Sequence, residues 1–184
     1  MCMAKEKLLL HICCAPCAVF PFRQLRESFR VTGFFYNPNI QPYSEYLFRQ
    51  REVTGVARIE NWDLVLGDYE KARWEKEIRG LEREPERGAR CPVCFYMRLR
   101  KTFEYAAAHQ FHQVATTLSI SPHKRIDQIN TEGEKLAAEF GIGFLGRDFK
   151  KKDGYKKTRE LSRLLGIRHQ NYCGCIYSRR SGDE

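Results

Sequence analysis

The sequence predicts an α/β protein: a three-layer sandwich with helices on both faces of a mostly parallel sheet of about five strands. Three observations predict it. Short apolar runs, too brief for helices, alternate with longer amphipathic stretches along the whole chain. The length of 184 residues suits one domain, and 42% hydrophobic content suits a packed core. The residues with unusual chemistry fall just after the short runs, where α/β sheets place their ligand sites. Strand–helix–strand units cross over right-handed, so the arrangement is a single-domain, Rossmann-like one.

Lys7–Ile12 reads as the first buried strand, followed by Cys13-Cys-Ala-Pro-Cys17 and an amphipathic stretch to about Phe29. Val31–Tyr36 is the second strand. Asn37–Pro42 is a loop, because each proline pushes its predecessor out of the helical region. A helix is expected over Ser44–Ile59, a third strand over Asp63–Gly67, and a charged helix around Trp74. Glu82–Arg90 is a polar connection. Cys91-Pro92 opens a helix with proline in its first turn, running to Ala108. His112–Ser119 is the fourth strand. Ser121-Pro122 opens the next helix, broken or kinked near Gly133 and ending at Gly141. Gly143–Gly146 is a weak fifth strand, and Tyr155–Leu165 a basic helix. Residues 1–184 form one domain, with a basic segment from about 145 to 184 closing over a metal site at the C-terminal strand rim.

Composition excludes several classes. The longest apolar runs are far shorter than the ~20 residues of a membrane span, and mean hydropathy is −0.56. The first residues lack a secretory core, so the chain reads as soluble and cytoplasmic, with no membrane partner. Net charge is +9, and the last 40 residues carry 11 basic and 5 acidic side chains. Such asymmetry suits a polyanionic partner, since neutralising phosphates releases counterions; a solvated basic face accounts for it equally.

Eight cysteines in a chain without a secretory signal point to metal or redox chemistry. Cys14 and Cys17 form a Cys-x-x-Cys pair beside Cys13. Cys91 and Cys94 form a second, and Cys173 and Cys175 a Cys-x-Cys pair; Cys2 is incidental. A helix N-terminus favours thiolate in such pairs. Three readings stay open on spacing alone. Four-thiolate zinc leaves Cys13, Cys173 and Cys175 unexplained. Structural disulfides fit adjacent Cys13-Cys14 poorly. An iron–sulfur cluster uses such thiolates and leaves a surplus for a second metal or a redox-active thiol pair.

Other motifs are weaker. Glu45 and Arg49 stand one helical turn apart, an ion pair of about 0.3–0.5 kcal/mol. Ser119-Ile-Ser-Pro-His-Lys124 sets two hydroxyls and a cation at an expected helix N-terminus, an anion site or a plain cap. Phe149-Lys-Lys-Lys152 and Tyr155-Lys-Lys157 interleave aromatic and basic residues. His11 lies within the first strand and reads as a satisfied core residue. No Walker A, Gly-x-Gly-x-x-Gly, His-Glu-x-x-His or Gly-x-Ser-x-Gly motif is present.

The motifs HICCAPC (11–17), YNPNIQPYSEYLFR (36–49), CPVC (91–94), SISPHK (119–124), FKKKDGYKK (149–157) and QNYCGCIYS (170–178) occur in fixed order across the chain. Together they resemble the cobalamin-independent epoxyqueuosine reductase family, QueH. One departure, Ile167-Arg-His169 where the family pattern has an aromatic and Arg-Gln, leaves the thiols untouched. The resemblance implies reduction of the epoxide of epoxyqueuosine, on tRNA, to the cyclopentene of queuosine. It also implies iron–sulfur dependence, a 4Fe-4S cluster with a second iron or other metal nearby. The partners it implies are tRNA carrying epoxyqueuosine and a ferredoxin- or flavodoxin-like electron donor, or a chemical reductant.

On that footing the metal ligands are expected among Cys13, Cys14, Cys17, Cys91, Cys94, Cys173 and Cys175. Cys14, Cys91 and Cys94 are assigned to the cluster, with its fourth ligand from the remainder. Arg49, Ser119, Ser121 and Lys124 are the candidates for orienting substrate or protonating the departing oxygen. Two other classes compete. An iron–sulfur tRNA thiolation enzyme of the PP-loop class would carry an SGG-x-D-S loop after strand one, where this chain has CCAPC. A zinc-stabilised tRNA-binding module would perform no chemistry.

Overall fold

The computed structural model describes residues 4–179. Cys2 and the last five residues of the basic segment lie outside them. Five strands form one sheet: β1 (Lys7–Ile12), β2 (Arg30–Phe35), β3 (Asp63–Leu66), β4 (Gln113–Thr116) and β5 (Gly143–Phe144). Every pairing is parallel, and the spatial order is β3-β2-β1-β4-β5. The order reverses beside β1, so a crevice is expected where β1 and β4 end.

Six helices cover the sheet: α1 (Ala15–Leu25), α2 (Tyr43–Glu60), α3 (Lys71–Glu77), α4 (Arg90–Ala108), α5 (Ile126–Phe140) and α6 (Gly154–Leu164). Side chains alternate across β1, so it feeds two cores. Leu8, Leu10 and Ile12 pack with α1 and α2, around Phe22, Val53 and Trp62. Leu9 packs with α3, α4 and α5, around Trp74, Phe103 and Leu136. Both faces of β1 are buried, which explains the apolar run Leu8–Leu10 within it. His11 occupies this strand fully buried, its Nε2 donating to the Tyr36 carbonyl at 3.1 Å and its Nδ1 accepting from Thr116 Oγ1 at 2.9 Å. Burial, then the Arg98 charge, push its pKa down to about 3. The imidazole is a neutral structural group.

Three sequence expectations are corrected. The fourth strand stops at Thr116 instead of Ser119, because residues 117–120 wind into a 3-10 turn capped by Thr116, whose hydroxyl accepts from Leu118 N at 3.2 Å. The next helix starts at Ile126, not Ser121. Ser121 instead closes a local turn, accepting His123 N on its hydroxyl and Lys124 N on its carbonyl, a competition that serine often wins against helix. That helix is also unbroken at Gly133. A Cβ there would stand 2.3 Å from the Phe144 ring, so glycine makes room for β5 packing, which outweighs a propensity cost of about 1 kcal/mol.

The C-terminal stretch after α6 is strapped across the sheet's C-terminal rim. Arg168 Nη2 donates to Glu45 at 2.7 Å, and its backbone N–H donates to Glu52 at 2.9 Å. Tyr172 donates its hydroxyl to the Gln41 carbonyl at 3.0 Å, and Gln41 N–H donates to the Gly174 carbonyl at 2.8 Å. Asn37, Asn39 and Gln41 of the loop after β2 are all buried. This loop, which contains a cis Gln41–Pro42 bond, brackets the strap.

Candidate metal centre

Seven free cysteines lie among the described residues. Each group is placed by a different element. Cys14 is the N-cap of α1 and Cys17 stands one turn in, with Pro16 between them inside the first turn. Cys13 ends the β1–α1 junction, its N–H donating to Thr117 Oγ1 at 3.2 Å. Cys91 and Cys94 sit in the first turn and a half of α4, as the Cys-Pro start predicts. Cys173 and Cys175 ride on the strap, separated by Gly174 at φ +101°.

The sulfurs fall into two sets. Those of Cys13, Cys14 and Cys17 lie within 4.8 Å of one another, a buried triad that can hold a metal ion. The Cys13–Cys14 separation is 3.8 Å. A tetrahedral ion with sulfur bonds of about 2.3 Å sets its ligands about 3.8 Å apart, so the triad matches a single ion. Cys91, Cys94, Cys173 and Cys175 line a second, narrower space, across from Trp74 and Arg98. No other three potential ligand atoms among the described residues approach as closely as the triad. Donors spaced more widely suit a polynuclear core lying between them.

Electrostatics bias one sulfur in each set toward thiolate. Cys13 is held well below its ordinary pKa by the Cys14 and Cys17 thiols, aided by Lys124. Cys14 is pushed up to about 12 by the same contact with Cys13. Cys173 is held low by Cys175, again with Lys124 contributing, while Cys175 is raised by its contact with Cys173. Burial pushes Cys91 up to about 11. Like Arg98, Lys124 acts on a sulfur of each set. Burial alone would lower its pKa, but the Cys13, Cys173 and Cys17 sulfurs raise it, so it stays an ammonium.

A cavity of about 290 Å³ opens over the triad. Arg49, Ser121, Lys124, Tyr155, Tyr172 and Cys173 are among its lining residues. Arg49 is 2% exposed. Its Nε donates to Glu45 at 2.7 Å, its Nη2 to the Tyr172 carbonyl at 3.3 Å, and its guanidinium lies 5.0 Å from the Tyr172 ring centroid. The Glu45–Arg49 pair, a plain surface pair on spacing alone, is thus a buried bracket for the strap. Ser119 lines neither space; its hydroxyl donates to the Arg147 carbonyl at 2.7 Å. Ser121 and Lys124 precede α5 by a turn, so the pairing of these groups with a helix N-terminus is corrected. Phe149 is a core residue, and of the two aromatics in the Lys-rich segment only Tyr155 faces the cavity.

Sequence reasoning missed Arg98 and Trp74. Arg98 is buried against Asn37 Oδ1 and acts on both Cys94 and Cys13. Its position one turn past Cys94 on α4 was the available signal.

The model of the family described as epoxyqueuosine reductase QueH matches residues 8–181. The chain belongs to this family. Among its relatives is the epoxyqueuosine reductase QueH of Haemophilus influenzae, 38% identical over 181 residues, spanning 97% of this chain and 74% of the relative. That of Acinetobacter baylyi is 37% identical, spanning 95% and 81%. That of Thermotoga maritima is 34% identical, spanning 93% and 89%. A solved structure described as a predicted subunit of tRNA methyltransferase from Methanocaldococcus jannaschii aligns with TM-score 0.55 at 13% identity, over 86% of this chain and 74% of that one. At that identity it shares the Rossmann-like fold and nothing more. Among the described residues, no helix is long and apolar enough to cross a membrane.

Proposed function

We propose that this chain is an epoxyqueuosine reductase acting on tRNA, an oxidoreductase that removes the epoxide oxygen as water at the cost of two electrons and two protons. Family membership supports the reaction. The observation that carries its placement is the gathering of seven thiols, Lys124 and Arg49 at the crevice beyond β1 and β4. We assign Cys91, Cys94, Cys173 and Cys175 to a 4Fe-4S cluster and Cys13, Cys14 and Cys17 to a separate ion. This regrouping moves Cys14 from the cluster to the triad, on the sulfur spacing. An all-thiolate donor set fits iron–sulfur chemistry. When bound, these groups supply electrons one at a time and Lewis acidity toward the epoxide oxygen.

The chain's own residues do the rest. Lys124 Nζ, kept protonated by the surrounding sulfurs, is the proton donor to the departing oxygen. Arg49 holds the cavity wall and Tyr172 in place and presents a fixed cation to polar groups of the substrate. Ser121 offers a hydroxyl to the same cavity, and Ser119 holds the loop that carries both Ser121 and Lys124. Lys151, Lys152, Lys156 and Lys157 are exposed and flank the cavity-lining Tyr155 in sequence, a run of charge that suits the phosphates of tRNA. A ferredoxin- or flavodoxin-like protein, or a chemical reductant, is the electron source.

The test is an anaerobic assay with reconstituted, reduced protein and epoxyqueuosine-containing tRNA. Conversion to queuosine without ATP is expected from a brown protein. A requirement for ATP, or turnover by a colourless zinc-loaded protein, refutes the proposal.

A further inference from the structure

Trp74 and Arg98 are buried side chains that each hold one donor the fold does not use. Trp74 is fully buried in α3, yet its indole Nε1 reaches no acceptor at full hydrogen-bond geometry. Arg98 donates from Nη2 to Asn37 Oδ1 while its Nε has no partner. An unpaired buried donor is costly and rare enough to need a reason. Both residues line the space occupied by Cys94, Cys91, Cys173 and Cys175. Trp74 and Cys94 also pack in the same buried cluster. The two donors come from different elements, α3 and α4, and Arg98 stands one helical turn past Cys94 on α4.

We propose that Trp74 Nε1–H and Arg98 Nε–H are positioning donors to the Cys94 thiolate, setting the reduction potential of the centre that Cys94 ligates. The proposal rests on the assignment of Cys94 to an iron–sulfur cluster. Reduction adds negative charge to cluster and thiolates, so a donor aimed at a ligand sulfur stabilises the reduced state more and raises the potential. Trp62 is an internal control. Its Nε1 is also buried and unpartnered, but its ring stacks on Phe22 at 4.2 Å in the opposite layer, away from the thiols.

The experiment is anaerobic redox titration of the reconstituted full-length protein, followed by electron paramagnetic resonance. Trp74→Phe keeps an aromatic ring and removes the N–H. Replacement of Trp74 by benzothienylalanine removes the N–H while keeping indole shape, and serves if the phenylalanine variant folds poorly. The expected result is wild-type iron and sulfide content with a lower midpoint potential, by up to about tenfold in the reduction equilibrium, ~59 mV for one electron. Trp62→Phe is expected to leave the potential unchanged. An unshifted potential in an iron-replete Trp74 variant overturns the proposal, as does an equal shift in Trp62→Phe. Failure of the underlying assignment is distinguishable: Cys94→Ala would then keep the wild-type cluster signal.

Discussion

Gly174→Ala separates the placement of the strap's sulfurs from their chemistry. Gly174 sits between Cys173 and Cys175 at φ +101°, where a side chain is strained. An added Cβ would stand 2.7 Å from Ile40 Cγ1 and 3.2 Å from Ile40 Cα. The first contact is with a buried side chain and the second with backbone, so rotamer change alone cannot relieve both. Backbone strain of this kind costs about 1–3 kcal/mol, and overpacking a filled site costs about 1–3 kcal/mol more. A value near 3 kcal/mol, the low middle of that range, weakens strap docking about a hundredfold. Amide hydrogen exchange reads this directly, because Gln41 N–H donates to the Gly174 carbonyl at 2.8 Å. Faster exchange at Gln41 is expected, with reduced iron content and an intact β1–β4 core. Unchanged Gln41 protection and full iron loading would refute the reasoning.

Other expectations follow from the same geometry. Cys91→Ala is expected to lose most of its iron and sulfide and more than tenfold in epoxyqueuosine reduction, measured by metal analysis and single turnover. Cys17→Ala is expected to lose the metal of the triad while keeping the cluster absorption near 400 nm, read by iron-to-sulfide ratio. Arg49→Gln removes the bracket to Tyr172, and activity is expected to fall at least tenfold, with a lower thermal unfolding midpoint because buried bonds to Glu45 and Tyr172 are lost. Glu45 titrates below its ordinary 4.5: burial raises it, but Arg168 and Arg49 bonds lower it further. Its tie to the strap is therefore fully present above about pH 4.5 and lost as pH falls through the lower folded value. Hydrogen exchange of residues 168–172 is expected to rise over that window, and Glu45→Gln to abolish the dependence.

Much of the fold was legible because β1, β2, α2 and α4 carry signals that tertiary contacts do not override. Leu8–Leu10 is apolar on both faces since β1 lies at the centre of a parallel sheet, and Cys91-Pro92 starts a helix for local reasons. The errors cluster at residues 117–125, where Thr116 and Ser121 hydroxyls compete with strand and helix for backbone N–H groups. That competition is decided by geometry no periodicity records. Gly133 misled for the opposite reason, since its cost in the helix is offset by packing against Phe144. The seven thiols were legible as metal-ligand candidates, but which of them the fold groups was not, because Cys173 and Cys175 are placed by the strap's path over α2. That path is fixed by Glu45, Glu52 and Gln41, polar residues whose partners lie more than 100 positions away in sequence.

The division of the sulfurs is tested most directly by anomalous scattering at the iron and zinc edges on anaerobic crystals. The expected result is a compact multi-iron peak enclosed by Cys91, Cys94, Cys173 and Cys175, and a separate single-ion peak at Cys13, Cys14 and Cys17. Zinc alone at either set, or one iron centre drawing ligands from both, would contradict it.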